Sequence, residues 1–159
     1  DLRFYHLFNL RIGEYILIRK LQEKDIDIVM EIWLTANIEV HQFISPHYWY
    51  NSFKLVKEMI VQAEVYVYEI NNNIYGFIGL NNDYIAGIFV KNNFRSRGIG
   101  KQLLDYVKEI KQQLKLNVYQ KNTKAVNFYQ RENFKIQNSS TDTDTGEKEY
   151  TMIWKNIIF

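Results

Sequence analysis

The run Arg95-Ser96-Arg97-Gly98-Ile99-Gly100-Lys101 holds the residues of this chain best suited to chemistry. Gly98 and Gly100 leave the backbone open to close approach by an anion, and the first amides of a helix that follows have no intrahelical acceptors. Arg95, Arg97 and Lys101 add positive charge where the helix macrodipole already favours an anion. A loop built this way holds phosphate or pyrophosphate, so the expected ligand is a nucleotide-like cofactor. The flanking residues agree with that geometry. Tyr84 to Val90 reads as a buried strand, and Ile99, Leu103, Leu104, Val107, Ile110 and Leu114 recur at helical spacing after the loop. The spacing predicts one helix reaching Leu114, with Lys101, Asp105, Lys108 and Glu109 among the residues of its solvated face.

Two common phosphate loops fail on spacing. A Walker loop would place glycine at 95, where Arg95 stands, and Ser or Thr after Lys101, where Gln102 stands. A dinucleotide fingerprint would place a third glycine at Leu103. What remains is Arg95-x-x-Gly98-x-Gly100. Farther along, Asn122-Thr123-Lys124-Ala125-Val126-Asn127-Phe128-Tyr129-Gln130-Arg131-Glu132-Asn133-Phe134 combines a helix with an asparagine at its end. These two segments, in this order, resemble the Gcn5-related N-acetyltransferase (GNAT) superfamily. Its pyrophosphate loop has the pattern Gln or Arg, x, x, Gly, x, Gly or Ala, and its later half the pattern Asn…Ala…Phe-Tyr…Gly-Phe. Asn133 replaces the usual glycine, a mild change because asparagine tolerates the left-handed conformation of a helix end.

The resemblance implies acetyl coenzyme A as acyl donor, with no metal. It assigns the pyrophosphate to Arg95, Ser96, Arg97, Gly98, Ile99, Gly100 and Lys101, and the pantetheine arm and thioester to backbone near Ile88, Phe89 and Val90. Asn122, Ala125, Phe128 and Tyr129 complete the implied cofactor wall. Gly87 has two readings, a bulge that turns these amides toward the thioester or room for a packed neighbour. The implied activity is transfer of acetyl to a primary amine, on a small molecule or a protein, by direct transfer in a ternary complex. Tyr129 is the expected general acid for the thiolate. His41 is one candidate base, and Asp83, acting through water, is the other; either would otherwise be a loop hydrogen-bonding group. Trp33, His41, Phe43, Tyr48 and Trp49 are expected to line the acceptor pocket, with ordinary aromatic core as the alternative. Two rival functions remain open at this level: a non-catalytic acyl-coenzyme A sensor, and a peptide- or RNA-binding module.

The elements that must position these residues follow from periodicity. Strands are expected at Tyr15 to Leu21, Val65 to Ile70, Ile74 to Leu80, Leu116 to Tyr119, Phe134 to Gln137 and Lys148 to Trp154, and helices at Glu23 to Asn37, Asn51 to Gln62 and Thr123 to Arg131. His41 to Trp49 reads as an irregular aromatic segment. The expected class is α/β, as a GNAT-like acyl-CoA N-acyltransferase fold: a mixed, mostly antiparallel central sheet with a splayed parallel strand pair, flanked by helices. Residues 14–159 are expected to form a single domain, with residues 1–13 an extension, a remnant or an extra strand. The chain has 159 residues, 47% of them hydrophobic, enough for a sizeable core. A net charge of +2 without a long basic run argues against general nucleic-acid binding. The absence of cysteine excludes disulfides and a cysteine nucleophile. No apolar run is long enough to cross a bilayer, and no signal-peptide pattern stands out, so a cytoplasmic location is expected; the resemblance, which is to small bacterial acetyltransferases, implies a bacterial enzyme. Asp142-Thr143-Asp144-Thr145-Gly146 lacks the spacing of a calcium loop and reads as an exposed hairpin turn.

Overall fold

Strand alternation sets the layers of this molecule, whose computed structural model describes residues 6–8 and 14–157. Along β3 (Glu64–Ile70), Val65 and Val67 bury on one face of the sheet while Tyr66 and Tyr68 bury on the other. The first face is covered by α1 (Ile26–Val40) and α2 (Pro46–Gln62), through Val29, Met30, Trp33, Trp49 and Ile60. The second is covered by α3 (Ile99–Ile110) and α4 (Thr123–Arg131), through Leu103, Leu104, Val107, Val126 and Tyr129.

The remaining strands are β1 (His6–Phe8), β2 (Ile16–Lys20), β4 (Asn73–Asn81), β5 (Tyr84–Val90), β6 (Gln113–Tyr119), β7 (Lys135–Thr141) and β8 (Lys148–Lys155). They form one sheet in the order β1-β2-β3-β4-β5-β6-β8-β7, antiparallel except for β5 beside β6. The expected mixed, mostly antiparallel sheet with one parallel pair is what the chain forms. Of residues 1–13, the backbone of 6–8 pairs antiparallel with β2; the other readings of that segment lie outside the described residues.

Several sequence-derived boundaries shift: α1 lies three residues later than expected at each end, β7 runs on to Thr141, and two shifts have a clear physical reason. The segment 46–49 is helical, because Pro46 occupies the first turn and the Ser45 hydroxyl accepts from the His47 amide at 3.4 Å. The aromatic side chains there mask a helix start. The third helix ends at Ile110, since Lys111 is extended; Leu114 belongs to β6, where Leu114, Leu116 and Val118 alternate into the core. A two-residue period thus begins where the helical one stops, and the first member of one prolongs the other.

The first helix is anchored by a buried charge network. Arg19 on β2 donates to Asp25 through Nη1 at 2.6 Å and Nη2 at 3.0 Å, and to Glu69 on β3 through Nη2 at 2.9 Å and Nε at 3.2 Å. Asp25 also accepts from the Gln22 amide at 2.7 Å, which closes the turn that leads into α1. Arg19 and the Gln22 amide hold the Asp25 carboxyl below its ordinary range against the opposing effect of burial, and its partners raise Arg19. Removing one member strands the others without water. Arg19→Met should destabilise the fold by about 3–5 kcal/mol, read as a lower urea midpoint at unchanged slope.

Candidate active site

Two residues of parallel pairing, Tyr84 with Lys115 and Ile85 with Leu116, join β5 to β6 before the strands part. The divergence coincides with a bulge. Gly79 pairs with Gly87 and Leu80 with Ile85, so Ala86 has no partner on β4. The room at Gly87 is also used: a methyl group there would lie 2.3 Å from the Phe89 ring. This short stretch therefore holds both a bulge, with its unpaired residue one position before Gly87, and a ring packed over Gly87. Because the Lys91 amide donates to Tyr75 O at 2.8 Å, ladder alternation directs the backbone groups of Phe89 toward β4 and those of Ile88 and Val90 into the opened edge. The Arg95 Nε–H donates to Val90 O at 3.3 Å from that side.

A cavity of about 490 Å³ occupies the opening. Its floor is Ile88, Phe89 and Val90, and one end is formed by Arg95, Ser96, Gly98, Ile99, Gly100 and Lys101. Ser96 at φ 64° and Gly98 at φ 80° are both left-handed, one on each side of Arg97. That alternation curls successive amides toward a common concave side, and Gly98 is the N-cap of α3, so the helix amides join them. The cations are held around this nest rather than left extended. Arg95 pairs with Glu39 at 3.2 Å, and Lys101 pairs with Asp105 at 2.9 Å and Glu132 at 3.4 Å. Arg97 lies over the Phe94 ring, 4.7 Å from its centroid, and is the one member of the predicted loop that does not line the cavity.

The opposite wall comes from α4, where Ala125, Phe128, Tyr129 and Glu132 follow helical spacing. Asn122 caps this helix: its Oδ1 accepts from the Ala125 amide at 3.2 Å, which leaves its Nδ2 3.2 Å from His41 Nε2. The amide orientation makes Nε2 the acceptor and puts the imidazole proton on Nδ1, which is buried without a partner. His41 also stacks on Trp49 at 5.4 Å and meets the edges of Phe43 and Tyr119. Burial pushes its pKa down to about 4. With its lone pair occupied and its cation disfavoured, His41 links the end of α1 to the start of α4.

Tyr129 is 8% exposed, and burial raises its pKa. Among the described residues its hydroxyl has no hydrogen-bond partner. It lines both the first cavity and a second one, of about 260 Å³, bounded by Trp33, Trp49, Tyr84, Asn117, Tyr119 and Glu149. Asn37, His41, Ile88, Phe89, Asn122 and Ala125 are likewise common to the two.

Of the residues expected around an acceptor, Trp33, His41 and Trp49 reach the second cavity. Phe43 and Tyr48 do not; they buttress it through His41 and Trp49. Asp83 is outside both cavities, with its carboxylate accepting from Gln113 Nε2 at 2.6 Å and its carbonyl from the Lys115 amide. Sequence reasoning missed Asn37, Tyr84, Asn117, Tyr119 and Glu149. Asn37 had a usable signal, since Trp33, Asn37 and His41 are spaced by four along one helix face. Glu149 had none, because its place depends on pairing with a strand distant in sequence.

Comparisons with known proteins agree with this geometry. A family model described as an acetyltransferase (GNAT) domain matches residues 62–136. The chain is 33% identical over 140 residues to the peptidyl-lysine N-acetyltransferase YiaC of Escherichia coli, covering 87% of this chain and 96% of that protein. It is 28% identical to the peptidyl-lysine N-acetyltransferase YjaB of Salmonella typhimurium, covering 89% and 97%. The solution structure of apo YjaB from E. coli superposes with a TM-score of 0.78 at 23% identity, over 87% of this chain and 96% of that one. A Bacillus anthracis protein solved in complex with acetyl coenzyme A shares the fold over 59% of this chain and 62% of its own, with a TM-score of 0.54 and 23% identity.

Two expectations follow from the local geometry. Gly98→Ala forces a methyl group into a left-handed residue and should cost about 1–2 kcal/mol, whereas Gly100→Ala, whose methyl would meet Ile88 and Phe128 at 3.8 and 3.9 Å, should leave stability nearly unchanged; urea unfolding of both variants checks the difference. For His41, the folded pKa lies below the unfolded value, so the unfolded chain binds the extra proton between about pH 6.5 and 4 and stability falls as pH falls through that window. His41→Phe should remove up to about 2 kcal/mol of the stability difference between pH 7 and pH 5.

Proposed function

The chain belongs to the Gcn5-related N-acetyltransferases, and from that premise we propose that it transfers acetyl directly, in a ternary complex, to a lysine side-chain amine of a protein, with Tyr129 as the general acid. The observation that carries this reading is the Tyr129 phenol, buried yet unpartnered at the meeting of the two cavities. The lysine acceptor is suggested by the relatives named as peptidyl-lysine N-acetyltransferases.

The residues divide the work by position. The amides around Ser96, Gly98 and Gly100 bind the pyrophosphate, and Ile88 and Val90 offer backbone groups to the pantetheine arm and the thioester carbonyl along the opened edge. Acetyl coenzyme A supplies an activated acyl carbon and a thiolate leaving group. Tyr129 donates its phenolic proton to that sulfur as the carbon–sulfur bond breaks, and regains a proton from solvent. The Tyr129 phenol, protonated at neutral pH even at the ordinary tyrosine pKa of about 10 and raised further by burial, is in the form a proton donor requires. His41 and Asn122 hold the two walls at a fixed separation. The acceptor amine loses its proton to water before attack; His41, whose lone pair is engaged, and Asp83, which is remote, are not positioned to receive it.

Acetyl coenzyme A should raise the melting temperature of the protein, and release of free thiol should depend on an added lysine peptide. Tyr129→Phe should keep the thermal shift and lower kcat by roughly 10²–10⁴-fold. Unchanged turnover would remove Tyr129 from the chemistry; a thermal shift without thiol release from any amine would make the protein an acyl-coenzyme A sensor.

A further inference from the structure

The second cavity has one wall whose composition neither cofactor binding nor acid catalysis explains. It comes from β6 and β8, where Tyr119 pairs with Glu149 and Asn117 with Thr151. Cross-strand partners share a face, and residues two apart on a strand share it too, so these four side chains form one polar row. The opposite face of the same strands carries Leu116, Val118, Tyr150 and Met152 into the hydrophobic core. Burial of that apolar set leaves Glu149 no orientation except toward the cleft.

Three of the four side chains in the row have hydrogen-bond partners. The Tyr119 hydroxyl donates to Asp142 Oδ2 at 2.7 Å, and the Thr151 hydroxyl donates to Asn117 Oδ1 at 2.8 Å. The Glu149 carboxylate is different: half-buried, it has no hydrogen bond or ion pair among the described residues. Tyr84 from β5, Tyr119 from β6, Tyr48 from α2 and Asp142 from the β7–β8 turn surround its site, and none of them carries positive charge at neutral pH. Burial and the neighbouring Asp142 raise its pKa, which is the mark of a carboxylate lacking a counter-charge. Among the described residues lining this cavity there is no lysine or arginine, and Glu149 is the single acidic one.

The rest of the lining suits a particular ligand. Trp33, Trp49, Tyr84 and Tyr119 present ring surface to an apolar stem and a favourable quadrupole to a cation. Tyr129 adjoins at the inner end, where the acyl group must be transferred. We infer that Glu149 receives the ammonium group of the acceptor, so that this cavity selects a cationic primary amine carried on an unbranched aliphatic stem. A lysine side chain and a polyamine terminus share that chemistry. The inference rests on the transferase reading above and adds to it the residue that recognises the acceptor.

Two measurements on the full chain separate the possibilities. Binding of a lysine-containing peptide or of spermidine, without donor, is followed by tryptophan fluorescence, to which Trp33 and Trp49 in the cavity wall contribute, and steady-state thiol release is followed with the same amines and with a neutral acyl hydrazide. Glu149→Gln should weaken binding and raise KM for the charged acceptors about tenfold or more, the loss of one charge-assisted contact. It should change kcat less than threefold and leave the hydrazide KM and the acetyl coenzyme A thermal shift as they are. Whether the lysine peptide or spermidine loses more affinity identifies which source of the ammonium the cavity fits. Glu149→Lys should abolish binding of both while keeping the thermal shift, which also shows that the variant is folded. Equal affinity of wild type and Glu149→Gln for every charged acceptor would overturn the inference. Glutamate-dependent binding with no thiol release in the wild type would uphold it and instead reject the transferase reading.

Discussion

The parting of β5 from β6 is the constraint on which the rest of this molecule depends. A parallel pair that continued past Ile85 and Leu116 would satisfy its own backbone and leave no slot. By separating, the strands expose alternate amides and carbonyls of β5 along an edge in the middle of the sheet, where unpaired backbone is costly unless something polar lies against it. The bulge at Ala86 starts the separation, and the Phe89 ring, seated over Gly87 and against Phe77 at 5.1 Å, holds the bulged strand in place. The first cavity is a consequence of sheet geometry before it is a collection of side chains.

A gap in a sheet has to be kept from closing or widening, and the walls on either side are tied together at few points. His41, at the end of α1, meets Asn122, at the start of α4, so the cap of one helix is fastened to the last turn of another across the slot. The imidazole is poorly solvated there and its Nδ1 goes unsatisfied, an energetic cost that makes sense for a contact that sets a distance. Farther back, the Arg19 network fixes where α1 begins, and therefore where Trp33, Asn37 and His41 arrive along its length. Position at the site is transmitted by a rigid helix from a buried ionic anchor.

Much of this architecture is legible in the amino-acid sequence. The glycine-bearing loop, the helix after it and the Asn122 to Phe134 segment are local: their meaning lies in turn conformation, helix amides and capping, all settled within a few residues. Asn133 shows this well, since its left-handed backbone, at φ 68°, follows from side-chain chemistry alone. Boundaries are less secure where two periodicities overlap, as at Leu114, or where aromatic residues obscure a helix start, as at Ser45 and Pro46. The candidate bases fare differently from the loop. Acidity and basicity depend on surroundings, and sequence proximity to the cofactor strand suggests for Asp83 a site that its own hydrogen bonds keep it from entering.

By itself, then, the sequence determined the glycine-bearing turn and the helices that flank the slot, because each rests on short-range backbone conformation that residue type controls, and its two motifs carried the family resemblance that implies the acyl donor. Only the tertiary structure decided that the His41 lone pair is engaged by Asn122, that the Tyr129 phenol lies where two cavities meet, and that Glu149 faces the cleft with no counter-charge among the described residues. Those properties come from what lies opposite each side chain. Strand register and helix placement set that across long stretches of chain, by balancing burial over the whole core.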